Sequence, residues 1–456
     1  MEKNAWKKYD ATQLEQLESL ANQYKQFLNA GKTERECARE AIRQAKEAGY
    51  VDLQDIITGK KPMQSKIYAA SMDKTVALFH LGKEPLEQGM RIVAAHIDSP
   101  RLDLKQNPLY EEGGMAYLDT HYYGGIKKYQ WVTLPLAIHG VVAKKDGSCI
   151  DMVIGEQEDD PVFGVTDLLV HLAGEQLDKK GAKVVEGEAL DLLVGNKKPL
   201  VGEEKEAVKK QILQILQQKY GIEENDFVSA ELEVVPAGKA RDCGFDRSMI
   251  MAYGHDDRVC AFASLAALLQ VADTEKTVCC LLVDKEEIGS VGATGMKSRF
   301  FENTVAELMA LTDDYSELKL RRALSRSKML SVDVSSAFDP TYAQAFDKRN
   351  AAYVGNGMVL KKYTGSRGKS GANDANAEYI GILRNVMDNA AITYQTAEVD
   401  YGGGGTISYI AALYGMDVID CGVPVLNMHA PWEVISKADL YEAARGYYAF
   451  LNMKNC

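Results

Sequence analysis

No apolar run in these 456 residues approaches the roughly 18 consecutive residues that a membrane span requires. The opening stretch, MEKNAWKKYDATQLEQLESLANQYKQFL, is charged throughout. A cytoplasmic protein with no membrane partner is therefore expected. Missing too is any Lys/Arg stripe interleaved with aromatics, and with a net charge of −12 nucleic acid is not an expected partner. The eight cysteines contain no C-x-x-C pair that could seed a zinc ribbon or a redox site. They read as buried free thiols, in keeping with a reducing compartment. Two glycine-rich stretches lack what would make them nucleotide loops: residues 402–405 are not followed by Lys-Ser/Thr, and Gly289, Gly292 and Gly295 lack the G-x-G-x-x-G spacing. Close backbone approach to a bound ligand explains both.

What is present is an ordinary globular balance, 46% hydrophobic and 26% charged residues, in a chain long enough for about two or three domains. Leu14, Leu17, Leu20, Ala21, Tyr24, Phe27 and Leu28 recur at helical spacing, which predicts an amphipathic amino-terminal helix with one buried stripe. Apolar runs over residues 91–95, 277–283, 329–332 and 418–426 read as buried strands. Helical patterns over 258–271, 304–311 and 375–390 lie between them. The fold class is thus α/β, a mostly parallel sheet flanked by helices on both faces. Residues 103–244 differ: YGGIKKYQWVTLPLAIHGVVAKKDG has a strand, turn and strand texture, and a charged helix is expected near 205–218. The domains predicted are a discontinuous one, 1–100 with 245–456, and an inserted β-rich one, 101–244.

Parallel sheets bind ligands at the carboxyl ends of their strands, and ionisable residues gather at those ends here. His96 and Asp98, in AAHIDSP, follow a strand at i and i+2, so the carboxylate can orient the imidazole for a metal. Asp256 and Asp257, in YGHDDRVCAF, precede a helix, where one of them could simply cap it. Glu286 and Glu287, in LLVDKEEIGSVGATG, are adjacent carboxylates after a buried strand; they repel each other unless a cation or a proton sits between them. Asp333, in MLSVDVSSAFDP, and His429, in VLNMHAPWE, each close an apolar run. Singly, each could be a satisfied buried polar group. Together they supply a nitrogen and oxygen donor set suited to two divalent ions.

These residues lie in motifs that resemble the aspartyl aminopeptidases, a group that includes vacuolar aminopeptidase I and belongs to the co-catalytic two-zinc aminopeptidases. The carriers are TVALFHLGK, VAAHIDSPRLDLK, VTDLLVHLAGEQ, ELEVVPAGKARDCGFDRSMIMAYGHDDRVCAFASLAAL, DKEEIGSVGATG, SVDVSSAFDP, GGGGTISYIAALYG and VLNMHAPWE, in family order and over nearly the whole chain. The resemblance implies a phosphorylase-like two-zinc aminopeptidase fold. Asp256 would bridge two ions, His96 and Asp333 would complete one site, and Glu287 and His429 the other. Glu286 is then the general base, Asp98 orients His96, and Asp257 follows Asp256 through a strained, cis peptide bond as in the wider group. The matching histidine of VTDLLVHLAGEQ, His171, belongs in the family to the inserted oligomerisation domain and reaches a neighbouring subunit's active site; from the residues alone it sits on an apolar helical pattern. Lys361, Gly405 and Thr406 would favour an acidic substrate side chain, the latter two through helix N-terminal amides.

The implied partners are peptides with free amino termini and further copies of the chain, as a tetrahedral dodecamer built from dimers. The implied cofactors are two divalent ions per subunit, zinc first, with manganese or cobalt also suited to such donors. Two segments depart from the family, IKKYQWVTLPLAIHG and GSRGKSGANDAN. Both lie where substrate choice is set, and both leave the cage motifs intact. A carboxypeptidase or deacylase could use the same cage; a non-catalytic peptide-binding assembly would have little reason to keep Glu286. His80, His121, His139 and His255 have no matching ligand role and read as structural or solvated.

Overall fold

The computed structural model describes residues 4–198, 205–365, 368–398 and 405–453. Contacts divide the chain into two units, one of residues 1–99, 240–428 and 433–456, the other of residues 100–239 with 429–432.

The first unit is built on a mixed nine-stranded sheet among the described residues, in the order Val51–Asp52, Lys66–Ser71, Thr75–His80, Val278–Val283, Arg91–His96, Lys328–Val332, Asp417–Gly422, Met358–Lys361 and Tyr394–Thr396. Its centre is parallel: Arg91–His96 runs alongside both Val278–Val283 and Lys328–Val332, which in turn pairs in parallel with Asp417–Gly422. Each central strand is buried on both faces, which is why it reads as an unbroken apolar run. Side chains alternate between two cores. Val93 and Ala95 enter one while Ile92 and Ala94 enter the other. The same alternation sends neighbours Cys280 and Cys279 to opposite faces, so that pair is packing. Not every thiol is buried: Cys149 is exposed and Cys243 half-buried.

The helices Ala11–Ala30, Glu34–Glu47, His255–Leu269, Ala377–Asn389 and Lys437–Leu451 cover one face. Asp10 and Thr33 begin the first two with capping boxes, each side chain accepting the N3 amide while the N3 residue returns the bond. The amino-terminal helix buries Leu17, Ala21, Tyr24, Phe27 and Leu28 and leaves Leu14 exposed. Phe300–Thr312, Glu317–Ser325 and Ser408–Ala412 lie over the other core. The apolar run at 418–426 is not one strand. It splits at Gly422–Val423 into Asp417–Gly422, in the large sheet, and Pro424–Leu426, in a five-stranded sheet with Glu433–Ser436 and Met249–Ala252. A Cβ at Gly422 would lie 2.0 Å from Asp333 O, so this glycine lets two strand ends meet.

The second unit carries an antiparallel six-stranded sheet, ordered Cys149–Ile154, Leu136–Ala143, Ala230–Pro236, Arg101–Glu112, Met115–Tyr123 and Leu192–Gly195. A helix at Ala207–Tyr220 packs on it. His171 is not on a helical stripe: it stands in a single 3-10 turn, Val170–Leu172. The apolar residues there are consecutive rather than helically spaced, and they stand exposed among the described residues. Leu169 and Leu172 are 58% and 70% exposed.

Candidate metal centre

His96 ends the central strand of the large sheet, buried, with its two ring nitrogens differently engaged. Nδ1 faces the backbone oxygen of Asp98 at 3.0 Å and Oδ1 of the same residue at 3.3 Å. Nε2 lies 3.2 Å from Asp256 Oδ1 and 4.0 Å from Glu286 Oε2. Asp98, wholly buried, does more than orient this ring. Its Oδ1 accepts the Glu286 amide at 3.1 Å and its Oδ2 the Glu287 amide at 3.2 Å. One carboxylate therefore fixes the imidazole and the turn that presents both glutamates. Lys285, before that turn, has φ 68 and Gly289, after it, φ 92; these left-handed residues fold the chain back at the strand end.

Asp256 and Asp257 open the helix His255–Leu269, joined by a cis peptide bond. The Asp256 amide donates to Glu433 at 3.0 Å, and its carbonyl accepts from Ser99 Oγ at 2.6 Å. Asp333 follows the strand Lys328–Val332; its amide donates to Cys421 O at 2.8 Å. Lys361, at the end of Met358–Lys361, is buried and points its ammonium at the Asp333 and Val334 carbonyls, 3.2 and 3.1 Å away.

Two donor groups result, each with ligand atoms within 4.8 Å of one another: His96, Asp256 and Glu287, and His96, Asp257 and Asp333. Asp257 thus stands where sequence reasoning put a follower of Asp256. His429 is in neither group. It belongs with the second unit, at φ 65, and its Nδ1 faces Gly125 O at 2.8 Å. Thr406 Oγ1 is shared with Ser408 and the buried Asp420. Helix Ser408–Ala412 starts two residues later than Thr406, so Gly405 and Thr406 do not offer its first-turn amides. Residues 402–404 lie outside the described residues.

The electrostatics test whether this set fits metal. Burial pushes Glu286 up to about 8, with Asp333, Asp98 and Asp256 adding to the rise and His96 opposing it. Burial likewise lifts Asp333 to about 6 against His96 and Lys361, with Asp256 and Asp420 adding, and carries Asp257 well above the usual carboxylate range, Asp333 and Asp256 contributing. Burial disfavours charging His96, but the hydrogen bonds of Asp256 and Asp98 and the charge of Glu286 outweigh it and raise the imidazole well above 6.5. So many buried carboxylates call for positive charge at their centre. Fully buried Asp257 finds no nitrogen or oxygen donor for either carboxylate oxygen among the described residues. The donors fit divalent metal.

Sequence reasoning missed Glu433, Ser99 and Tyr24 as supports of this site. Ser99 lies within AAHIDSP and Glu433 closes VLNMHAPWE, but sequence reasoning reads neither as a support, and it reads Tyr24 only as part of the buried helical stripe. His255 is structural, its pKa lowered to about 3 by burial. Its Nδ1 is 2.6 Å from Tyr24 Oη and its Nε2 3.1 Å from Ile250 O.

A helix-flanked, largely parallel sheet with a buried carboxylate and histidine cage at its strand ends defines the class, a metallohydrolase of the α/β kind. The family model described as aminopeptidase I zinc metalloprotease (M18) matches residues 27–451. A probable M18 family aminopeptidase 1 of Clostridium acetobutylicum is 60% identical over 455 residues, covering 99% of this chain and 98% of the relative. The crystal structure of the Thermotoga maritima M18 aminopeptidase superimposes with a TM-score of 0.94 at 45% identity, over 99% of both chains. The S. cerevisiae mApe1 dodecamer shares the fold, with a TM-score of 0.75 at 18% identity over 95% of this chain and 96% of that one. The chain belongs to the M18 family of zinc aminopeptidases. No helix among its described residues is long and apolar enough to cross a membrane.

Proposed function

We propose that the chain removes single residues from the amino ends of peptides with two divalent ions per subunit and Glu286 as general base. The observation that carries this is the gathering of Asp256, Asp333 and Glu287 around His96 at one set of strand ends, with Asp98 tying the His96 ring to the Glu286–Glu287 turn. Asp256 would be shared by the two ions, with His96 and Asp333 holding one and Glu287 and His429 the other, His429 being assigned by its place in VLNMHAPWE. When bound, the ions supply a low-pKa water and positive charge for a developing oxyanion.

The remaining work falls to the chain. Glu286 takes the proton of the attacking water and returns it to the leaving amine. Its side chain retains 15% exposure beside the buried His96 and Asp98, which leaves it open to substrate. Asp98 holds the His96 ring and both glutamate amides in register. The substrate's ammonium is drawn to the carboxylate cluster, which restricts cleavage to free amino ends. An acidic first residue is favoured by the charge of Lys361, beside Asp333, and not by Gly405 and Thr406, which lie ahead of the helix Ser408–Ala412.

The 100–239 unit serves assembly. Its exposed Leu168–Leu172 segment is suited to burial against another copy, which would deliver His171 to a neighbouring active site. A tetrahedral dodecamer built from dimers is the proposed assembly, and the mApe1 dodecamer shares the fold.

The test is hydrolysis of free-amino aminoacyl nitroanilides, Asp and Glu beside Leu, Met and Lys, by metal-reconstituted wild type and Glu286→Ala. Cleavage lost by about a hundredfold or more in the variant is expected, with the preferred residue deciding the acidic pocket. No cleavage of any member by metal-loaded wild type would refute the proposal.

A further inference from the structure

The turn that carries Asp256 is held by groups that do not touch its carboxylate. Ser99 holds its carbonyl and Glu433 its amide. One residue earlier, the wholly buried His255 ring lies between Tyr24 Oη, 2.6 Å from Nδ1, and Ile250 O, 3.1 Å from Nε2. A carbonyl oxygen can only accept, so Nε2 carries the hydrogen, and Nδ1 of the neutral ring is the acceptor for the Tyr24 hydroxyl. Both faces of the hydrogen-bonding geometry are thus used, and the ring has one orientation.

Tyr24 is on the amino-terminal helix, 231 positions before His255. Its ring packs on Phe262, with centroids 5.3 Å apart, and its exposure is zero. A phenylalanine would fill that volume as well. Burying a hydroxyl is favourable only when it is hydrogen-bonded, and the bond made here ends on the residue next to Asp256. A second tie runs in parallel: Arg258 Nη2, two residues beyond Asp256, donates to Lys32 O at 2.8 Å, in the link between the first two helices.

We infer that Tyr24 is a positioning residue for the metal centre: its hydroxyl locks the His255 ring and, through it, the backbone that presents Asp256. The amino-terminal helix is then part of the metal site's support as well as of the core. This rests on the proposed role of Asp256 as a metal ligand.

The experiment is a titration of zinc alone into the metal-stripped full chain, competed against a chelating indicator. Loss of an outer hydrogen-bond partner typically weakens metal binding 10- to 100-fold, so Tyr24→Phe should bind zinc roughly tenfold more weakly. Leu17→Ala loosens the same helix away from the link and should lower Tm while keeping wild-type zinc affinity. His255→Phe should weaken zinc as Tyr24→Phe does, and the double variant should add little, because the two residues act as one unit. Wild-type affinity in Tyr24→Phe, or equal weakening in Leu17→Ala, overturns the inference. Should Tyr24→Phe not fold, His255→Phe takes its place, with wild-type affinity again the overturning result. Asp256→Asn separates the two levels: unchanged zinc binding there sinks the assignment of Asp256, whereas binding lost there but intact in Tyr24→Phe sinks this inference alone.

Discussion

At the scale of single residues, Asp98 joins the His96 ring to the turn that carries both glutamates. It backs His96 and holds the Glu286 and Glu287 amides at 3.1 and 3.2 Å. Asp98→Asn keeps the shape but turns one acceptor oxygen into a donor that faces an amide N–H. Zinc affinity is expected to fall by roughly 10- to 100-fold with little change in circular dichroism. Unchanged affinity would show that the bonds to the turn are dispensable. His96, Asp333 and the Glu286–Glu287 pair were legible because each follows an apolar run where a parallel sheet exposes its ligand-binding edge; His429 reads the same way and stands in neither donor group. The Asp98 amide bonds were not legible, since a backbone donor leaves no mark on residue identity. Nor was Tyr24, whose partner is brought close only by the folded core.

At the scale of elements, periodicity located the central strands and principal helices, because burial on two faces and on one stripe leave different patterns. It failed where tertiary contact decides. Residues 418–426 read as one strand, yet Gly422 and Val423 hand the chain from one sheet to another. The LLVHL segment read as a helical stripe and is a short exposed turn. The carboxyl-terminal helix Lys437–Leu451 offers a test of its own. Asp439 accepts the Gly355 and Gly357 amides, each at 2.7 Å, while burial, with Glu442 adding, pushes its pKa up to about 8 against those two amides. The folded state then holds a proton that the unfolded state releases near 3.8. This contribution to stability is full below about pH 4 and is lost as pH rises through about 8. Asp439→Asn, fixed in the neutral form, should lower Tm at pH 5 yet flatten its decline from pH 5 to 8 in thermal scans. A decline as steep as wild type would show that Asp439 is ionised throughout.

For the whole molecule, the turn around His171 is a run of consecutive apolar residues that a lone subunit leaves exposed. Burying an exposed leucine stabilises by about 2 kcal/mol, and Leu169 and Leu172 are 58% and 70% exposed. A double variant, Leu169→Asp with Leu172→Asp, should sediment as smaller species and lose activity in step with dissociation. A wild-type sedimentation coefficient would mean that assembly uses another surface. The central claim is the two-ion cage with Asp256 at its middle, and anomalous scattering from a zinc-loaded crystal, collected on both sides of the zinc edge, tests it most directly. Two peaks bridged by Asp256, one against His96 and Asp333 and the other against Glu287 and His429, are predicted; a single peak, or a pair bridged by Asp257, would contradict the account.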